Sequence, residues 1–313
     1  MEELIGHENI LAFFTKVKEQ GKLSHAYCFV GPQSVGKKHF AQILGAELLG
    51  VPLSKLAGYP DFTLVAQEYN EKEEKTNKDI NVAQIRGLRS FLSQSAYLGK
   101  YKIAIIDNAE KMNSEAANAL LKILEEPSPN TILFLITANE AMLPSTVVSR
   151  SQTLYFAPVA KNVLQNWLEK INTDLNKEEL LNWSCGLPGK IKNWLSNPES
   201  FLEYKKEVER FINLTGKTFF EKLKIVEDLF TSEEDNVKNK ANWQKLLNLW
   251  RLLIRDSELK KNNLGNLAIH QDLKNLTLPK SIEIEERIIA TEEMLNKNIN
   301  PRLLIENILL ILP

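Results

Sequence analysis

Cysteine is nearly absent from these 313 residues: two thiols, Cys28 and Cys185, cannot build a disulfide framework or a four-ligand zinc cage. Histidine is almost as scarce, and the four, at positions 7, 25, 39 and 270, fall at no metal-ligand spacing. Neither sign of charge dominates, with 39 Lys+Arg against 40 Asp+Glu. That balance excludes a polycationic nucleic-acid coat and leaves room only for a local basic face. No apolar run approaches the roughly 20 residues of a bilayer-crossing helix; Ile132–Ile136 is of the short buried kind. The start, Met1-Glu2-Glu3-Leu4, is acidic and lacks the basic region and apolar core of a secretion signal. These scarcities predict a reduced, metal-free, cytoplasmic protein with no membrane association. What is present is ordinary: 43% hydrophobic and 25% charged residues describe a folded chain, long enough for two domains, or three if one is small.

The first half alternates apolar runs with helical periodicity. Ala26–Val30 is a buried-strand candidate, Gly31–Gly36 a turn, and Phe40, Ile43, Leu44 and Leu48 recur at helical spacing. Asp61–Val65 reads as a second strand. The charged, aperiodic stretch Glu71–Asp79 reads as a solvated loop, and Val82, Ile85, Leu88 and Leu92 as a helix. Lys102–Asp107 is an apolar strand ending in a carboxylate. A helix with Asn113 as N-cap carries Ala117, Leu120, Leu121 and Leu124 until Pro127 and Pro129 stop it. Thr131–Ile136 and Thr153–Phe156 complete the strands. Strands alternating with helices predict a parallel sheet covered on both faces, an α/β domain over residues 1–158.

Beyond Pro158 the strand signal fades. Val163, Trp167 and Ile171 share one helical face, Leu180, Leu181 and Trp183 suggest a second helix, and Ile191, Trp194 and Leu195 follow Gly186-Leu187-Pro188-Gly189. These predict a small three-helix domain over 159–200. From 201 to 313 the pattern is all helical, with a broad apolar face at Leu246, Leu249, Trp250, Leu253 and Ile254. The closing helix starts at Asn300-Pro301, an N-cap followed by proline at the first helical position, and buries Leu304, Ile308 and Ile311.

Gly31-Pro32-Gln33-Ser34-Val35-Gly36-Lys37-Lys38 matches a phosphate-binding P-loop except at its last residue. In such a loop, backbone N–H groups and a helix N-terminus hold phosphate oxygens while the lysine reaches the outer phosphates. The final position should be a Ser or Thr hydroxyl on Mg²⁺. Lys38 offers three donors and no lone pair, and its charge repels a cation. The alternative is a strand-to-helix glycine turn without a ligand, and the missing hydroxyl favours it over productive Mg-nucleotide binding. Asp107 sits where a strand-end aspartate holds Mg²⁺. Asn108 follows where a hydrolase of this architecture carries a glutamate, and asparagine takes no proton. Glu110 lies two residues on and is expected to point elsewhere. Ser149-Arg150-Ser151, taken alone, reads as a surface turn with an ion-paired arginine.

Several stretches together resemble the clamp-loader subunits of bacterial replicative DNA polymerase III, within the AAA+ ATPases. They are Ser24-His25-Ala26-Tyr27, Ile85-Arg86-Gly87-Leu88, Gly99-Lys100-Tyr101-Lys102 and Asn118-Ala119-Leu120-Leu121-Lys122-Ile123-Leu124-Glu125-Glu126-Pro127. Ser149-Arg150 and, near the end, Asn298-Ile299-Asn300-Pro301-Arg302-Leu303-Leu304-Ile305-Glu306 complete the set. The resemblance implies a RecA-like AAA+ parallel-sheet domain, a small helical lid and an all-α collar that joins five subunits into a ring. Lys38, Asn108 and Asp107-Asn108-Ala109-Glu110-Lys111-Met112 are similar to the non-hydrolysing delta-prime type. This implies no intrinsic ATPase, with an ATP-hydrolysing gamma/tau-type motor or an AAA+ adaptor in DNA repair as the alternatives.

In that picture Arg150, with Ser149 beside it, is an arginine finger reaching the ATP of a neighbouring motor subunit. Gly31, Gly36, Lys37, Lys38 and Asp107 form a degenerate nucleotide site. Thr137 and Asn139 fall in the sensor-1 region and Lys190 near sensor 2, relics if no nucleotide binds. The implied partners are the gamma/tau and delta subunits and, through the assembly, the sliding clamp and primed DNA. Arg86, Arg89, Lys100 and Lys102 are either DNA-facing or solvated surface charges. Many relatives carry a four-cysteine zinc module between the first helix and the second strand. Here Gly50–Pro60 is short and cysteine-free, so no zinc is expected. Ser151 stands where the family usually has cysteine.

Overall fold

In the computed structural model the chain is described over residues 4–70, 75–76, 79–230, 236–264, 268–270, 280–295 and 299–313. It divides into two compact units, residues 1–177 with 186–192 and residues 178–185 with 193–313. No helix among the described residues is long and apolar enough to cross a membrane.

The first unit is built on strands β1 (Ala26–Val30), β2 (Phe62–Val65), β5 (Lys102–Ile106), β6 (Thr131–Thr137) and β7 (Gln152–Tyr155), in the order β2-β5-β6-β1-β7. Every pairing in this sheet is parallel, Ala26 lying opposite Leu133 and Lys102 opposite Thr131. β1, β5 and β6 are buried along their whole length, as strands covered on both faces must be, and this is why they read as unbroken apolar runs. Side chains alternate across the sheet. Tyr27 and Phe29 join Phe14, Phe40, Phe134 and Phe156 on one face, while Ala26, Cys28 and Val30 join Ile85, Leu88, Leu120 and Leu135 on the other. The aromatic face is knit by ring contacts, Phe29 to Phe156 at 5.0 Å and Phe29 to Phe40 at 5.8 Å between centroids.

Helices α1 (Glu8–Glu19), α2 (Lys37–Leu49), α3 (Leu53–Leu56), α4 (Val82–Ser93), α5 (Ser114–Glu125), α6 (Ser145–Val148) and α7 (Lys161–Glu169) belong to this unit. Asn113 caps α5 as its sequence implies, its side chain accepting from the Ala116 N–H at 2.8 Å. α4 starts on a reciprocal capping box, the Asn81 side chain accepting from Gln84 N and the Gln84 side chain from Asn81 N, which satisfies two otherwise orphaned donors.

Four details depart from the sequence reading. Asp61 precedes β2 instead of starting it, and is fully buried. Of the stretch expected to be a solvated loop, 71–74 and 77–78 lie outside the described residues. Lys75–Thr76 forms a strand, β4, paired antiparallel with β3, Tyr69–Asn70. Along α7 the buried residues are Leu164 and Leu168, while Val163 and Trp167 are half-buried. Lys102, taken for a DNA-facing or solvated charge, is 4% exposed. Its ammonium donates to Phe91 O at 2.9 Å and lies 4.1 Å from the centre of the Phe91 ring.

The second unit is helical: α10 (Pro198–Leu214), α11 (Phe219–Val226), α12 (Asn236–Lys261), α13 (Ser281–Leu295) and α14 (Pro301–Ile311). Its core gathers Phe211, Leu246, Leu249, Trp250, Leu253, Ile254, Ile284, Ile288, Leu304 and Ile308, so the broad face expected on α12 is buried throughout. Ile311, expected to be buried, is half-buried, and Ile305 and Leu309 are buried in addition. Asn300 caps α14 by accepting from Arg302 N at 3.0 Å, with Pro301 at the first helical position; Asn298 lies outside the described residues. The three helices expected over 159–200 are present as α7, α8 (Lys177–Trp183) and α9 (Pro188–Ser196). α7 falls in the first unit, α8 in the second from Glu178 onward, and α9 is divided after Lys192.

Candidate functional site

The turn between β1 and α2 opens on a cleft of about 410 Å³ at the carboxyl ends of the strands, the place where parallel α/β sheets bind ligands. Gly36, Lys37, Lys38, Asp107, Asn108 and Gly189 are among its lining residues. Gly31 is required by close approach, since a Cβ there would stand 2.3 Å from the Phe156 carbonyl oxygen.

Lys37 is 6% exposed. Its ammonium donates to the carbonyl oxygens of Gly31 (2.5 Å) and Pro32 (2.8 Å), so it is turned in on its own loop. Burial pulls its pKa below the ordinary value, against the nearby negative charges of Glu110 and Asp107. Glu110 was expected to point elsewhere, and it is not among the residues lining the cleft. Its carboxylate accepts from Ala138 N at 3.4 Å and its charge still acts on Lys37.

Lys38 and Asp107 meet across the cleft. Lys38 Nζ lies 3.0 Å from Asp107 Oδ2, with the carboxylate side chain 16% exposed. In an active P-loop these two positions hold magnesium between them, one through a hydroxyl and one through a carboxylate. Here one partner has no lone pair, and the other already faces a fixed positive charge, so the donor set does not suit a divalent cation. Asn108 follows in a left-handed conformation, φ +53°, and supplies no base.

The other residues singled out from the sequence are not gathered here. Thr137 is fully buried, its hydroxyl donating to Asn139 O at 3.0 Å and accepting from Asn139 N at 3.1 Å. The Asn139 side chain caps the following short 3-10 turn, accepting from Ala141 N at 3.0 Å. Neither residue lines the cleft, and neither does Lys190; the residue of that segment that does is Gly189. The Gly189 N–H donates to Ser34 O at 2.9 Å, and a Cβ at 189 would come within 2.8 Å of the same oxygen. Sequence reasoning missed this contact, and a glycine in a loop gives no signal of what it touches.

Arg150 stands apart from the cleft, just before the edge strand β7. Its guanidinium pairs with Glu125 Oε1 at 2.9 Å and donates to Thr146 O at 3.1 Å, with the side chain 38% exposed. Ser149 donates its hydroxyl to the same carbonyl at 3.2 Å. Glu125 belongs to the helix-end stretch Leu124-Glu125-Glu126-Pro127, so two of the stretches behind the resemblance meet in one ion pair.

A five-stranded parallel sheet in this order, with a glycine turn and lysine after β1 and a carboxylate at the end of β5, defines a RecA-like α/β domain of the AAA+ class. The family described as DNA polymerase III, delta subunit, matches residues 6–160. The chain is 34% identical to DNA polymerase III subunit delta' of Pseudomonas aeruginosa over 195 residues, which is 56% of this chain and 57% of that one. It is 26% identical to subunit delta' of Bacillus subtilis over 322 residues, 94% of this chain and 92% of that one. Among solved structures, a DNA polymerase III gamma subunit-related protein of Thermotoga maritima superposes with a TM-score of 0.52 at 19% identity, covering 95% of this chain and 97% of that one; at that identity the likeness speaks for the fold. Residues 6–160 thus carry the match to the DNA polymerase III, delta subunit, family, and nearly the whole chain is similar to a delta' subunit of DNA polymerase III.

Proposed function

We propose that this chain is a non-hydrolysing, delta-prime-like subunit of a replicative clamp loader, and that it completes the ATP site of a neighbouring motor subunit with Arg150. The observation that carries the reading is the pairing of two features in one sheet unit. Its own cleft has a lysine where a magnesium ligand belongs, while a partly exposed guanidinium is held at a distance from that cleft by Glu125 and the Thr146 carbonyl. An arginine so placed serves a phosphate brought by another molecule.

On this reading the chain assembles with gamma/tau and delta subunits in a five-membered ring through its helical collar. It acts on the sliding clamp and primed DNA only through that assembly. An arginine finger offsets charge on the transferring phosphoryl group and is worth roughly 10³–10⁵ in rate at the site it serves. Arg150→Ala is therefore expected to leave the ring assembled and to abolish the DNA- and clamp-stimulated turnover of the site it faces, read as a partial loss in steady-state ATP hydrolysis by the reconstituted ring. Unchanged turnover would sink the assignment. Mg-dependent ATP hydrolysis by the purified chain alone separates this reading from a motor subunit.

A further inference from the structure

We propose that the Lys38 ammonium is a built-in substitute for magnesium, tying the first turn of α2 to the end of β5 so that the cleft keeps one shape without metal or nucleotide. The inference rests on reading the P-loop as silent, and not on the action of Arg150.

Three contacts carry it. The first is the ion pair itself: Lys38 Nζ stands 3.0 Å from Asp107 Oδ2, between the two positions that face a common Mg²⁺ in an active P-loop. With Asp107 mostly shielded from water, the pair is less screened than two free surface charges. A divalent cation approaching Asp107 meets a positive charge that must first be displaced. The second contact is the inward turn of Lys37 onto the Gly31 and Pro32 carbonyls, which occupies two of the three donors that would otherwise face phosphate oxygens. The third is the seat of Gly189 on the Ser34 carbonyl at 2.9 Å, too close for any side chain, which closes the segment 186–192 over the turn. A metal-bound nucleotide normally supplies the bridge between loop, strand end and lid. In this unit the bridges are made by the chain's own lysines and backbone.

The test is binding of fluorescent ADP to the full chain, with magnesium and with EDTA, for wild type, Lys38→Thr and Lys38→Met. Wild type is expected to bind weakly and with no dependence on magnesium. Lys38→Thr restores a hydroxyl and frees Asp107, and is expected to bind at least about tenfold more tightly in magnesium only, equivalent to about 1.4 kcal/mol. Lys38→Met removes the charge without adding a ligand and gains no magnesium dependence. Lys38→Ser carries the same expectation should the threonine variant fail to fold. Three results would each overturn the inference: wild type that tightens ADP with magnesium, a methionine variant that gains what the threonine variant gains, or folded hydroxyl variants that gain nothing. The first leaves the action of Arg150 on a neighbour standing, since that is measured in the ring.

Discussion

Asp61 has no exposed surface, and its carboxylate accepts three backbone N–H groups in a row, from Tyr97 (2.6 Å), Leu98 (2.8 Å) and Gly99 (2.9 Å). It fixes the loop that feeds β5, and so the height at which Asp107 is delivered to the cleft. Burial alone would raise its pKa; the three N–H groups and the charge of Lys102 outweigh that and hold it below the ordinary 3.8. The sign follows: the folded state binds the proton less readily than the unfolded chain, so the stabilisation is whole above 3.8 and is lost as the pH falls through the lower folded value. Asp61→Asn replaces one accepting oxygen with an amide donor aimed at N–H groups, and is expected to cost about 1–3 kcal/mol at neutral pH. In urea unfolding, the gap between wild type and variant should narrow below the ordinary 3.8; a constant gap would mean that the charge contributes nothing. None of this was legible in the sequence, where Asp61 reads as the first residue of a strand. Its partners are more than thirty positions away, and periodicity carries no record of a contact at that separation. Lys102 was misread too, because only the fold brings the Phe91 ring, eleven positions back, beneath its ammonium.

The elements were more readable, because each is decided by neighbours in the chain. The strands stand within a residue or two of their expected limits, and Asn113 and Asn300 cap the helices they precede, since capping is a contact two or three residues long. The face of α7 was misplaced by one position. A nine-residue helix offers two overlapping apolar stripes, and only packing decides between them. α12 left no such choice, and Trp250 is its anchor, fully buried with its ring 5.5 Å from that of Phe211. Its indole N–H has no acceptor among the described residues, so its contribution is packing alone. Trp250→Ala should cost about 3–5 kcal/mol and, on the proposed function, weaken ring assembly. Trp250→Phe, which removes the unsatisfied donor and leaves a smaller cavity than alanine does, should cost distinctly less. Equal losses by thermal unfolding would show that the phenyl ring recovers none of the packing.

At the scale of the whole molecule, the sheet unit and the helical unit were each visible in the sequence as a change of period. Half of the site was visible too, because a broken motif shows its defect in place: Lys38 for a hydroxyl, Asn108 for a base. The other half was hidden, since the ion pairs Lys38–Asp107 and Arg150–Glu125 join residues that only the folded sheet brings together. On the proposed function these pairs separate two uses of phosphate chemistry within one unit, a cleft closed by its own cations and an arginine offered to a neighbour. If the chain acts as proposed, the two are independent in the assembled ring. Lys37→Ala, which loosens only the chain's own loop, should leave ATP turnover of the reconstituted ring unchanged. Arg150→Ala should remove the share of the site it faces, and the double variant should lose no more than Arg150→Ala alone. Additivity of this kind is expected of sites with no shared partner. A Lys37→Ala ring that slows, or a double variant that falls well below Arg150→Ala, would mean that the chain's own cleft takes part in the cycle, and the subunit would then be a motor and not the fixed partner of one.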